Sequence, residues 1–141
     1  MVGKKIAEFP SLDILTSTFR GCYEIVEDAP SSDFRVEDLE FISFMEPGDD
    51  GSVKVDVVRR RAVGLKGNFT LADGIRIMQG HDKIDPALCG KIYIFLTATV
   101  LCGPGGHLYI PYIFWNGAGW SVSLCHCKEN CPGKARLSRI K

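Results

Sequence analysis

Hydrophobic positions recur with a period of two through most of the second half of the chain, and that period predicts strands. Trp120, Val122 and Leu124 alternate with Ser121, Ser123 and Cys125, as in a strand with one buried face. The run Leu108–Trp115 is apolar on both faces, and so is Lys91–Cys102, with Ile92, Ile94, Leu96, Ala98 and Val100 on one side and Tyr93, Phe95 and Leu101 on the other. Strands apolar on both faces are covered on both faces. Asn116-Gly117 between Trp115 and Trp120 suits the positive φ angles of a tight hairpin turn, and Gly103-Pro104-Gly105-Gly106 turns the preceding strand back. The three segments from Lys91 to Cys127 thus predict a meander. Pro111 lacks a backbone N–H, so a bulge or an unpaired side is expected near it.

Upstream, Cys22–Val26 and Leu39–Met45 read as strands. Glu46–Ser52 reads as a turn, and the alternation of Val53, Val55 and Val57 with Lys54 and Asp56 reads as the returning strand of a second hairpin. Two short helices are expected. One is N-capped by Ser11 and runs to about Arg20; the other is capped by Thr70 and runs to about Gln79, weakened by Gly74. The fold class is α+β and strand-dominated: an antiparallel sheet of about five to seven strands, flat or closed into a small barrel, with one or two short helices. The 141 residues form one domain, with residues 128–141 a basic tail that is either frayed or a last short strand.

Composition adds little to this until charge is divided along the chain. Residues 1–50 carry four basic and twelve acidic side chains, and residues 51–141 carry thirteen and five, although the total is neutral. Either the two halves neutralise each other in the fold, or a basic face serves a nucleic acid or an acidic protein. Arg59, Arg60 and Arg61, with Lys134, Arg136 and Arg139, are the candidate contacts for such a partner, since guanidinium groups suit phosphate. Neither an aromatic platform nor a known nucleic-acid motif surrounds them. The glycines near Lys66 lack the spacing of a phosphate cradle. The absence of a long apolar run and of a signal-like start points to no membrane partner and to a cytoplasmic location, with reduced thiols.

Six cysteines and three histidines supply the candidate chemistry. A four-residue turn after Cys102 would set it opposite His107, and a two-residue turn at Asn116-Gly117 would set His107 opposite His126. Cys102, His107, Cys125, Cys127 and Cys131 are therefore the candidate ligands of a structural zinc ion, bound tetrahedrally by thiolate and imidazole. Strand alternation works against one metal using all of them, and the alternatives are unligated thiols or disulfides. Cys102 with His107 is also the minimum for a thiolate nucleophile, but no third group is in position. The leading functional expectation is a non-catalytic binding module for a protein partner, with zinc as its only candidate cofactor. A nucleic-acid-binding module and, below it, a cysteine-dependent enzyme are the alternatives.

Overall fold

The computed structural model describes residues 23–141. The expected helix Ser11–Arg20 lies outside them. Nine strands and two helices follow: β1 Glu24–Glu27, β2 Leu39–Ile42, β3 Ser52–Lys54, α1 Val55–Leu65, α2 Leu71–Gln79, β4 Tyr93–Phe95, β5 Val100–Cys102, β6 Leu108–Trp115, β7 Trp120–His126, β8 Asn130–Pro132 and β9 Ala135–Ile140. Seven strands form one curled sheet along the path β1-β5-β6-β4-β9-β2, with β7 on the other side of β6; β3 and β8 form a two-stranded ribbon. The fold is α+β and strand-dominated as the pattern indicates. The sheet is mixed rather than wholly antiparallel, because β9 runs parallel to β4.

The meander forms, but its first strand is broken. Phe95 pairs with Tyr112 and Leu101 with Tyr109, so five residues between them on one strand face two on its neighbour. The surplus at 96–99 reverses the face assignment. Ile94, Leu96 and Leu101 point into one apolar cluster, together with Ile75 and Ile77 of α2. Phe95 and Val100 point into the other, with Val58 and Ala62 of α1. The two helices thus cover opposite faces of the sheet, which explains why β4 to β6 are apolar on both sides. Pro111 sits at the break. Its carbonyl accepts from Leu96 N–H at 2.9 Å. A strand residue directs its N and its O to the same side, so the missing proline N–H faces the interrupted neighbour.

Residues 55–65 are helical, not a strand, and no hairpin joins β2 to β3. Val55, Val58 and Ala62 lie on one buried stripe at helical spacing. This period coexists with the alternation of Val53, Val55 and Val57, and the larger apolar face wins. β3 pairs instead with β8, Val53 opposite Cys131. The basic end of the chain is a full strand: β9 lies between β4 and β2, with Glu40 opposite Arg139.

α2 is the expected helix. Thr70 accepts from Asp73 N–H, and the Asp73 carboxylate accepts from Thr70 N–H, closing a capping box. The other Asp73 oxygen accepts from Ser32 N–H at 2.9 Å. Arg76 donates to the carbonyls of Ser32 and Phe34 and stacks over the Phe34 ring. The loop 28–35 is therefore latched onto α2. Gly74 is the residue that lets α2 approach the sheet, because a Cβ there would overlap Leu96 Cδ1. Leu96 is itself fully buried.

Two outcomes follow. Gly74→Ala should destabilise by about 1–2 kcal/mol, overpacking outweighing the better helix propensity, and in a Leu96→Ala background the same change should become stabilising; chemical denaturation of the four proteins checks both. Burial raises the Asp73 carboxyl above its ordinary value, against the pull of the Thr70 and Ser32 bonds. A raised carboxyl stabilises fully below its unfolded value, and that contribution is lost as pH rises through the folded one. Wild type should therefore lose stability relative to Asp73→Asn as pH rises from about 4, and a gap that does not change with pH would contradict this.

Candidate functional site

The hairpin β6–β7 carries most of the candidate chemistry, and its register decides which groups meet. Its loop holds four residues, not two: Trp115 pairs with Trp120, and Asn116 N–H bonds to Gly119 O at 2.9 Å. Asn116 Oδ1 accepts from the N–H groups of both Ala118 and Gly119, and Gly117 takes φ +99°, which only glycine adopts freely. The longer loop sets His126 opposite Tyr109 rather than His107. At the other end a helical turn over Pro104–Gly106 closes with Gly103 N–H on His107 O, which places Cys102 opposite Leu108. Both expected pairings are therefore displaced.

The displacements separate the thiols from the imidazoles. Cys125 and Cys131 belong to the apolar cluster with Ile110, and Cys127 packs against it. Cys102 lies in the row Cys102–Leu108–Cys127, with Leu108 between the two thiols. His126 shares the alternation of Val122, which points into the other cluster. Among the described residues no three His, Cys, Asp or Glu side chains come together as a set able to hold a metal ion. Of the five candidate zinc ligands the structure brings together Cys125 and Cys131 in one cluster, with Cys127 packed against it; Cys102 is separated from Cys127 by Leu108, and His107 shares a cavity with Cys127 but not with Cys125 or Cys131.

His107 and His126 nevertheless meet, as diagonal neighbours, with His126 Nε2 at 3.2 Å from His107 Nδ1. Lys128 N–H donates to His126 Nδ1 at 3.0 Å, so in the neutral ring the proton sits on Nε2 and is donated to His107. The Tyr109 ring stands edge-on to His126, and Tyr23 edge-on to Tyr109. The result is a directed chain from backbone to His126 to His107 at the rim of a cavity of about 230 Å³ lined also by Gly106, Leu108 and Cys127. A metal on His126 Nε2 would force the proton onto Nδ1, where the Lys128 N–H already points.

A second cavity, of about 170 Å³, opens beside Cys125. Its walls are Tyr93, Phe95 and Tyr112, with Phe95 and Tyr112 stacked at 4.8 Å between ring centres, and Glu129 and Asn130 stand on its rim. Cys125 and Cys131 lie in one buried cluster, and Cys125 Sγ donates to His126 O at 3.7 Å. The neighbouring Cys131 thiol holds the Cys125 thiol below its ordinary value, against burial and Glu129. The Cys125 thiol, with burial, drives the Cys131 thiol up. Burial raises Cys127, although Arg59 pulls it down.

The candidate phosphate contacts are largely occupied. Arg59 and Arg61 leave α1 for the acidic half: Arg59 reaches Glu27 at 3.1 Å and Thr97 O at 3.0 Å, while Arg61 reaches Asp49 at 2.7 Å, Glu46, and Phe44 O. Arg139 pairs with Glu40 at 2.6 Å. Arg136 donates to the carbonyls of Gly133 and Ala135, and Lys134 sits 4.2 Å above the Tyr93 ring. Arg60 is exposed. Asp73 and Arg76 escaped the sequence reading, although Thr70-x-x-Asp73 is a capping-box spacing that signals the first of them.

No protein-family model matches the chain, and comparison with curated proteins and with solved structures finds no match. No helix among the described residues is long and apolar enough to cross a membrane.

Long-range proton–nitrogen correlation spectra of the uncharged ring should show His126 carrying its proton on Nε2 with Nδ1 bare. A His126 carrying its proton on Nδ1 would mean that the Lys128 bond, and the relay with it, does not exist.

Proposed function

We propose that the protein is a non-catalytic interaction module whose partner strand adds to the outer edge of β7, and that the strand it accepts is β7 of a second copy. The observation that carries this reading is the unprotected edge. β7 pairs with β6 in unbroken register over seven residues, and no described strand lies on its other side. Cys127 N–H bonds to Leu108 O, so alternation turns the backbone groups of Trp120, Val122 and Leu124 outward, while the His126 carbonyl already accepts from Glu129 N–H in the following turn. Proteins usually guard such an edge with lysine, proline or a bulge; Trp120–His126 has none of these and no acidic or basic side chain apart from His126.

The choice of a second copy rests on self-complementarity. An antiparallel two-fold pairing centred on Ser123 sets Val122 against Leu124, Ser121 against Cys125 and Trp120 against His126, with no like charges opposed. Val122 and Leu124 already belong to one apolar cluster, which the pairing would extend. A formal net charge of zero removes the repulsion that keeps many proteins apart. A protein partner is favoured over a nucleic acid because Arg59, Arg61, Arg136 and Arg139 already spend their donors on Glu27, Asp49, Glu40 and backbone carbonyls.

Sedimentation velocity across a concentration series should show a reversible dimer. Ser123→Lys, which opposes two ammonium groups at the axis, should shift the protein toward monomer, and Ser123→Thr should not. Should Ser123→Lys fail to fold, Ser121→Lys serves the same purpose one pair away. A wild-type chain that stays monomeric up to its solubility limit, or a dimer indifferent to both lysines, would overturn the reading.

A further inference from the structure

We infer that Cys125 and Cys131 form an oxidation-sensitive dithiol, in which Cys125 meets a peroxide through the aromatic-walled cavity and Cys131 resolves it to an intramolecular disulfide. Three features of the structure converge on this pair.

The first is contact. The two side chains lie in one buried cluster although they stand on different strands, β7 and β8, of different sheets. Their connection is the turn closed by Glu129 N–H on His126 O at 2.9 Å. Two thiols within one packed cluster reach the roughly 2 Å of a disulfide by side-chain rotation.

The second is asymmetry of access. Cys125 lines the cavity and is 8% exposed, whereas Cys131 is completely buried behind it. The cavity suits a compact oxidant and excludes a bulky one. The third is asymmetry of ionisation, which follows the same order: the two neighbouring thiols shift each other in opposite directions, Cys125 down and Cys131 up, while Cys125 Sγ also donates to His126 O. The thiolate is the nucleophile, so the accessible sulfur is the reactive one. Cys127 lies nearby but is held toward the thiol by burial.

The chemistry balances with hydrogen peroxide as the oxidant. The Cys125 thiolate attacks one peroxide oxygen; an S–O bond forms, the O–O bond breaks, and the released hydroxide takes a proton and leaves as water. Cys131 then attacks the sulfenic sulfur; an S–S bond forms, the S–O bond breaks, and the Cys131 proton leaves with the hydroxyl as a second water. Two thiols and one peroxide become one disulfide and two waters. The product ties the sheet strand β7 to the β3–β8 ribbon.

The chain itself makes the test clean, because Lys128 lies between Cys127 and Cys131. The full-length protein is exposed to equimolar hydrogen peroxide, its remaining thiols are alkylated, and it is digested with trypsin. Cleavage after Lys128 leaves Cys131 alone on its own peptide, so its disulfide appears as a linked pair of peptides, and fragmentation identifies the partner sulfur. The expected result is a Cys125–Cys131 link, loss of two thiols per chain, and full recovery with dithiothreitol. In Cys131→Ser the resolving thiol is gone, so dimedone should label Cys125, as it should not in wild type. Wild-type mapping decides the question alone should that variant fail to fold. Cys131 alkylated in full after peroxide treatment, or linked to Cys127 or Cys102, would overturn the proposal.

Discussion

The interruption of the central strand between Phe95 and Val100 is the constraint on which the rest of the structure depends. A buried strand must satisfy every backbone group, and Pro111 on the neighbouring strand has no N–H to offer. The chain leaves the ladder there, and several freed groups find partners in other elements. Leu96 N–H takes Pro111 O, Ala98 N–H takes Phe69 O, and Thr97 O accepts Arg59 from α1. Thr99 Oγ1 accepts Leu71 N–H at the start of α2 and donates to Asp28 just beyond β1. Four residues thus fasten both helices and the first described strand to the sheet. Among the described residues the buried hydroxyls of Thr97 and Ser138 take no hydrogen bond.

The division of charge along the chain is resolved through the same architecture. Four of the five ion pairs among the described residues join an acid of the first fifty residues to an arginine of the remainder. Glu40 and Arg139 are direct cross-strand partners in β2 and β9, and Asp49 reaches Arg61 from the loop before β3. Pairs this exposed contribute little stability each. Their effect is one of matching: Arg59, Arg61 and Arg139 of the basic half are held on acids of the first fifty residues.

Local pattern was a good guide where a single element decided the outcome. The α2 helix with its Thr70 cap, the double-sided burial of Lys91–Cys102, the meander and an irregularity at Pro111 were all legible. What could not be read locally were counts within loops and partners across the chain. The loop after Trp115 holds two residues more than Asn-Gly alone implies, because Asn116 caps two N–H groups beyond it. The turn between Cys102 and its partner Leu108 holds one residue more than expected, and one residue moves a side chain to the other face. These small displacements moved Cys102 and His107 out of the expected row. The Val53–Val57 alternation concealed a helical stripe, and β9 looked like a tail because its pairing partners lie some forty and one hundred residues upstream.

The late position of β9 also explains why the thiols and the open edge lie where they do. Since the last strand is inserted between β4 and β2, the preceding segment must leave the sheet after β7 and return on its other side. The connection that does so is β8, which pairs with β3 beside the N-terminus of α1. That excursion brings Cys131 beneath Cys125 and seals it from solvent, and it also takes the chain away from β7, so no following strand covers that edge. The buried thiol pair and the unpartnered strand are two consequences of one topological step.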